Sequence, residues 1–186
     1  SLWIVAPDLP DGTQSSLYMI STGDGARRRL TTPPAASKGD FYPAISSDGS
    51  LLAFTRFHGT VWNDVYLTSL DDAAGGIPKP VRLSDMRMRI TGLTWAAGDR
   101  SLVVSAGDWN AESFLYRMRA KAPARASEVG NVRIEGRQPA FAWRSGDLVY
   151  VRSNPHLNIW RMDVHEVDGT PARALPARVV LSSAAD

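Results

Sequence analysis

An all-β chain of repeated antiparallel units is predicted by three observations. One pattern recurs about every 48 residues, each copy holds short apolar runs, and Asp-Gly or Gly-Asp turns separate two of those runs. The clearest marker is an aromatic pair. Leu17-Tyr18, Val65-Tyr66, Leu115-Tyr116 and Ile159-Trp160 each sit in a strand-like run, with first members 48, 50 and 44 residues apart.

A second marker precedes the pair in three copies. Tyr42 to Ile45 leads into Ser47-Asp48-Gly49, Gly92 to Trp95 into Ala97-Gly98-Asp99, and Pro139 to Ala142 into Ser145-Gly146-Asp147. Glycine at these turns supplies the positive φ of a tight antiparallel connection. A strongly apolar run follows each turn: Leu51 to Phe54, Leu102 to Val104 and Leu148 to Val151, with Leu2 to Val5 as the first copy. The aromatic pair is the third strand. A shorter, more polar fourth strand, as befits an edge, is expected at Arg29 to Thr31, Val81 to Leu83, Val132 to Ile134 and Val179 to Leu181. Ala111 to Ala122 is rich in helix formers, yet the register lays Leu115-Tyr116 over the other pairs and favours strand there.

Four-stranded units at this spacing are the blades of a β-propeller. Dividing 186 residues by 48 gives about 3.9 blades, expected at 1–40, 41–89, 90–136 and 137–186, the first without its inner strand. The expectation is therefore a segment of a larger propeller, or an arc that completes itself by homodimerisation. A strand-like run so close to Ser1 suggests that upstream sequence has been removed.

Composition narrows the function. Hydrophobic residues make up 44% and charged residues 22%, the balance of a folded domain. The formal charge of +2, with Arg27-Arg28-Arg29 as the longest basic run, gives no support to direct nucleic-acid binding. No run approaches the length of a membrane span, so no membrane contact by this segment is expected. The absence of cysteine excludes thiolate metal sites, thiol redox chemistry and a cysteine nucleophile, and leaves the compartment open.

The phrases YPAISSDGSLLAFTR, VYLTSL and KPVRLS resemble the TolB-type, WD-repeat-like propeller repeat, and the resemblance covers essentially the whole chain. RRLTTPPAASKGDFYPAISSDG, ITGLTWAAGDRSLVVSAG and NIWRMDV are similar to the propeller of CadC-like bacterial transcriptional regulators. That likeness implies a binding or sensing segment in the periplasm or elsewhere outside the cytoplasm, although a cytoplasmic location stays open. The turns depart from the repeat: Ser46 stands where Pro is usual, and two copies reverse the Asp-Gly order.

Enzyme chemistry finds little foothold. No G-x-S-x-G, H-E-x-x-H or P-loop pattern occurs, so neither a catalytic residue nor a cofactor is expected. His58, His156 and His165 fall in loops on different sides of the expected blades, which argues against a metal site. Asp48, Asp99 and Asp147 recur at turns and are read as strand connectors.

Residues that break the repeat on one loop face are the better candidates. Loops between second and third strands contribute Arg56, His58, Trp62 and Asn63, then Asp108, Trp109 and Asn110, then His156 and Asn158. Connections between blades add Asp40, Arg87 and Arg137. Trp62 and Trp109 would give rigid contact area at a channel mouth for a protein or peptide partner or a small ligand, with ordinary blade packing as the competing account. Trp3, Trp95, Trp143 and Trp160 lie in expected strands and are assigned to the core. The sequence thus points to a non-catalytic binding or sensing segment, with the accessory propeller of a prolyl-oligopeptidase-type serine peptidase as the alternative.

Overall fold

The computed structural model describes residues 3–8, 14–59, 61–71, 79–108, 112–122, 124–129, 133–153, 157–163 and 177–180. They form four antiparallel sheets, each with its strands in sequence order. The first has three strands: β1 (Trp3–Asp8), β2 (Ser16–Ser21) and β3 (Arg27–Arg29). The second has four: β4 (Asp40–Ile45), β5 (Leu51–His58), β6 (Trp62–Ser69) and β7 (Val81–Arg82). The third comprises β8 (Arg89–Trp95), β9 (Ser101–Gly107), β10 (Ser113–Arg119) and β11 (Ala126–Glu128). The fourth comprises β12 (Arg137–Ala142), β13 (Asp147–Ser153), β14 (Leu157–Asp163) and β15 (Ala177–Val180). No helix among the described residues is long and apolar enough to cross a membrane.

The register makes the repeat explicit. Tyr18 lies opposite Arg29, Tyr66 opposite Arg82, Tyr116 opposite Glu128 and Trp160 opposite Arg178. The helix-forming run is strand β10, because its side chains alternate between the faces of a sheet and tertiary packing outweighs its local propensity.

Three outer strands lie elsewhere than expected. In the first sheet the strand is Arg27–Arg29 and not Arg29 to Thr31, because Leu30 is buried in the core and the Thr31 hydroxyl accepts the Leu17 amide. In the third sheet the outer strand is Ala126–Glu128 and not Val132 to Ile134; Ile134 instead accepts a hydrogen bond from the Leu115 amide. The Val-x-Ile pattern misleads because Val129, directly after β11, fills the buried place that Leu30 and Leu83 hold after β3 and β7. In the fourth sheet the described outer strand is Ala177–Val180, beginning two residues before the expected Val179 to Leu181, of which Leu181 lies outside the described residues.

The chain divides into two compact units, residues 1–89 with 121–124, and residues 90–120 with 125–186. In the first, Leu52 and Phe54 on one face of the second sheet pack with Tyr66 against Val5, Leu17, Met19 and Leu30 of the first sheet. Burying each of the larger side chains stabilises by roughly 2 kcal/mol. The second unit repeats this arrangement. Leu148 and Tyr150, at the register positions of Leu52 and Phe54, pack against Val103, Leu115 and Val129, at the positions of Val5, Leu17 and Leu30.

Both β4 and β12 carry a bulge, between Phe41 and Ala44 and between Arg137 and Ala140. Pro43 and Pro139 sit inside these gaps, where no ladder bond needs their missing N–H, and Tyr42 and Gln138 beside them take positive φ of 51° and 49°. Entry into β4 depends on Gly39, with φ 118°: a Cβ there would lie 2.2 Å from the Ser15 carbonyl oxygen.

Candidate functional site

The β5–β6 hairpin builds the site. Its register places His58 opposite Trp62, Arg56 opposite Asp64 and Phe54 opposite Tyr66, so these six side chains share one face. Gly59 makes the turn with φ 67°, and Val61 and Trp62 at the tip are each 45% exposed. Sequence spacing put Arg56, His58, Trp62 and Asn63 in a loop, yet all four belong to strands. The hairpin is longer than the repeat predicts, because polar residues continue the alternation where an apolar pattern would have marked it.

Behind the tip the polar groups are tied down. Arg56, 8% exposed, donates from Nε and Nη2 to the two oxygens of the fully buried Asp40, at 2.7 and 2.8 Å. Its guanidinium also lies 5.0 Å from the Tyr66 ring centroid and 5.5 Å from that of Phe54. Asp64, 1% exposed, is a second hub. Arg82 donates to its Oδ2, while Ser84 Oγ and the Met86 amide donate to its Oδ1 at 3.0 and 3.1 Å. Asp40 was a candidate among the connections between blades, whereas Asp64, Tyr66 and Arg82 were missed. The Arg-Leu-Ser run at 82–84 was the available signal, since its register lays an arginine beside whichever residue precedes the aromatic pair.

His58 sits over the Asp64 hub. Its Nε2 is 3.2 Å from Asp64 Oδ2 and 3.3 Å from the Tyr66 hydroxyl. The charged ring donates to Asp64, whereas a ring protonated at Nδ1 accepts from Tyr66. Burial holds the Tyr66 hydroxyl above its ordinary value of 10.0, so it remains a donor at neutral pH.

Asn63 faces the other way. It is buried, donates from Nδ2 to Thr55 Oγ1 at 3.2 Å, and its amide bonds the Met88 carbonyl at 3.4 Å. Ser15 and Ser113 hold the same register position and likewise bond the chain entering β4 and β12. Asn63 therefore ties β6 to Met88, just ahead of β8. Arg87 is exposed at 79%, with φ 51° and its Nε 3.8 Å from Asp85.

In the second unit Asp108 is exposed just after β9, and Arg137 is exposed at the start of β12. Trp109, Asn110 and His156 lie outside the described residues, as does His165. Asn158 is in β14 opposite Arg152, and its side chain is not described. The structure thus brings together Arg56, His58 and Trp62 with Arg87 close along the chain from the hub.

Two other expectations need correction. Trp143 is not core: it follows β12 in a turn, 45% exposed, with its ring edge-on to Phe141. Asp48, Asp99 and Asp147 are not equivalent. Asp48 bonds Ser46 and Ser50 within its turn, Asp99 takes φ 52°, and Asp147 is a strand residue opposite Ala142. Hydrogen bonds from the Ser46 side chain and from Ser50 hold the Asp48 carboxyl below its ordinary value. Among the described residues, no three His, Asp or Glu side chains gather as a metal ion would require.

No protein-family model matches the chain, and no curated protein sequence does. Solved structures do. TolB from Acinetobacter baumannii superposes with a TM-score of 0.73 at 12% identity, over 97% of this chain and 41% of that one. A putative TolB from Agrobacterium tumefaciens gives 0.71 at 15% identity, over 94% of this chain and 59% of that one. Puromycin hydrolase gives 0.64 at 15% identity, over 96% of this chain and 28% of that one. The fold is that of a β-propeller segment, and the chain spans less than two thirds of each of these proteins.

Proposed function

We propose that this chain is a non-catalytic binding segment that takes a peptide or protein partner on the tip of the β5–β6 hairpin. One observation carries the reading: Val61 and Trp62 are exposed at 45% each, while the strands beneath them are pinned by Arg56–Asp40 and Arg82–Asp64. A large aromatic side chain on a fixed base loses little entropy when a partner covers it. His58, and Arg87 beyond the hub, supply polar and cationic contacts at the rim. Arg56 spans both oxygens of Asp40, and Arg82, Ser84 and the Met86 amide donate to Asp64, so the cluster holds the surface in shape.

The finer role in this reading is the extracytoplasmic sensor part of a transcriptional regulator, which rests on the CadC-like resemblance of the sequence. A second reading, the accessory propeller of a prolyl-oligopeptidase-type peptidase, is favoured by the likeness to part of a prolyl endopeptidase, with a TM-score of 0.54 at 13% identity over 99% of this chain and 29% of that one.

A phage-displayed peptide library selected on the immobilised chain tests the proposal. Enriched peptides are expected to bind the Trp62→Ala chain at least tenfold more weakly, and the Val81→Ala chain, altered at an exposed site on the outer strand β7, as well as the parent. Peptides that bind all three chains equally would overturn it.

A further inference from the structure

The chain leaving β7 departs from its counterpart in the first sheet. Arg29-Leu30-Thr31 and Arg82-Leu83-Ser84 hold the same register positions, but Thr32-Pro33-Pro34 follows the first run and Asp85-Met86-Arg87 follows the second. The added charges form a clamp around one carboxylate. Arg82 donates from Nη2 to Asp85 Oδ1 at 2.9 Å, and Arg87 Nε stands 3.8 Å from the same oxygen. The Asp85 side chain is 64% exposed, and both arginines reach water. Asp64 does not: its carboxylate, 1% exposed, lies beneath the Arg82 guanidinium. The face therefore presents two guanidinium groups to solvent, with a single loop carboxylate between them.

We infer that the partner's segment carries an Asp or Glu whose carboxylate takes the place of Asp85 between Arg82 and Arg87, while an apolar neighbour in the same segment covers Trp62. The inference rests on the binding role proposed above for the hairpin tip and names the chemistry that role selects. An ion pair as exposed as Arg82–Asp85 is weak, so exchanging Asp85 for an incoming carboxylate costs little. The incoming group arrives with a segment that shuts out water, and charge-assisted bonds strengthen there. Spacing fits as well. Trp62, Asp64 and Tyr66 lie on one face of β6, with Arg82 opposite Tyr66 and bonded to Asp64. Two residues of strand place Asp64 about 7 Å from Trp62. An extended peptide rises at the same rate, so an acid about two residues from the apolar anchor meets the arginines.

Library peptides that bind the chain through Trp62, resynthesised with both ends capped so that only side chains supply charge, read this chemistry. Acidic residues are expected to be enriched among them. Replacing the Asp or Glu of such a peptide by Asn or Gln is expected to weaken binding about fivefold. Arg87→Gln should weaken the acidic peptides by a similar factor and leave their amide versions unchanged. Asp85→Asn removes the internal competitor and should tighten the acidic peptides about threefold, opposite in sign to damage to the fold. Trp62-dependent peptides without an acid, amide versions that bind as tightly, or an Asp85→Asn chain that binds no better would each overturn the inference and leave the binding role of the tip standing. A selection that yields no Trp62-dependent peptide would overturn both.

Discussion

The first and second sheets use the same outer hinge, wired differently. In both, an arginine opposite the repeat tyrosine begins an Arg-Leu-Thr or Arg-Leu-Ser run, and the hydroxyl of that run accepts the amide of Leu17 or Val65, at 3.0 and 2.9 Å. Arg29 then reaches the hydroxyl of Ser16, whereas Arg82 reaches the carboxylate of Asp64, which holds the same register position. Directly across the hairpin from these positions, Asp8 of the first sheet makes an exposed pair with Arg27, while Arg56 of the second makes a buried pair with Asp40. The fold needs only the neutral wiring. The ionic version occurs in the hairpin whose tip carries the exposed Trp62.

Substitutions should separate these roles, beginning with the largest effect. Asp40→Ala leaves the Arg56 guanidinium buried without its partner and is expected to lower unfolding stability by about 3–4 kcal/mol in urea melts. Asp64→Ala should cost about 2 kcal/mol, less because Arg82 is 45% exposed and finds water and Asp85 instead. It should also speed hydrogen exchange at the Met86 amide. Ser16→Ala removes only the neutral counterpart and should cost about 1 kcal/mol, with exchange in the second sheet unchanged. Equal losses for Ser16→Ala and Asp64→Ala would remove the distinction between the two sheets.

The smallest effect is alkaline. Burial raises the ionisation of Tyr66 and Tyr150 in the fold above their ordinary value of 10.0, so the folded chain holds those protons more tightly than the unfolded one. Their contribution is complete below pH 10.0 and declines as pH climbs through the raised values. Melting temperature should therefore fall on that limb, and a chain with both Tyr66→Phe and Tyr150→Phe should show a flatter one.

Much of the architecture was legible because the aromatic pair and the tight turns have local causes. Leu17-Tyr18 and its copies alternate as half-buried strands must, and Gly49 sits at φ 77° where a tight connection requires it. The third outer strand was not legible, since Ala126-Ser127-Glu128 has no apolar alternation and is fixed only by pairing with β10. The site was half legible. Arg56, His58 and Trp62 stand out as breaks in the repeat, but Asp64 meets Arg82 across 18 residues and Asp40 meets Arg56 across 16, which only the strand register discloses.

The central claim, that a partner is bound by Trp62 on a rigid base, can be read residue by residue with 5-fluorotryptophan. The chain has six tryptophans, and a Trp62→Phe variant assigns one fluorine resonance to Trp62. Titrating a selected peptide should shift that resonance and leave the resonance of the buried Trp95 in place. A shift confined to Trp109 or Trp143, with Trp62 unmoved at saturation, would contradict the account.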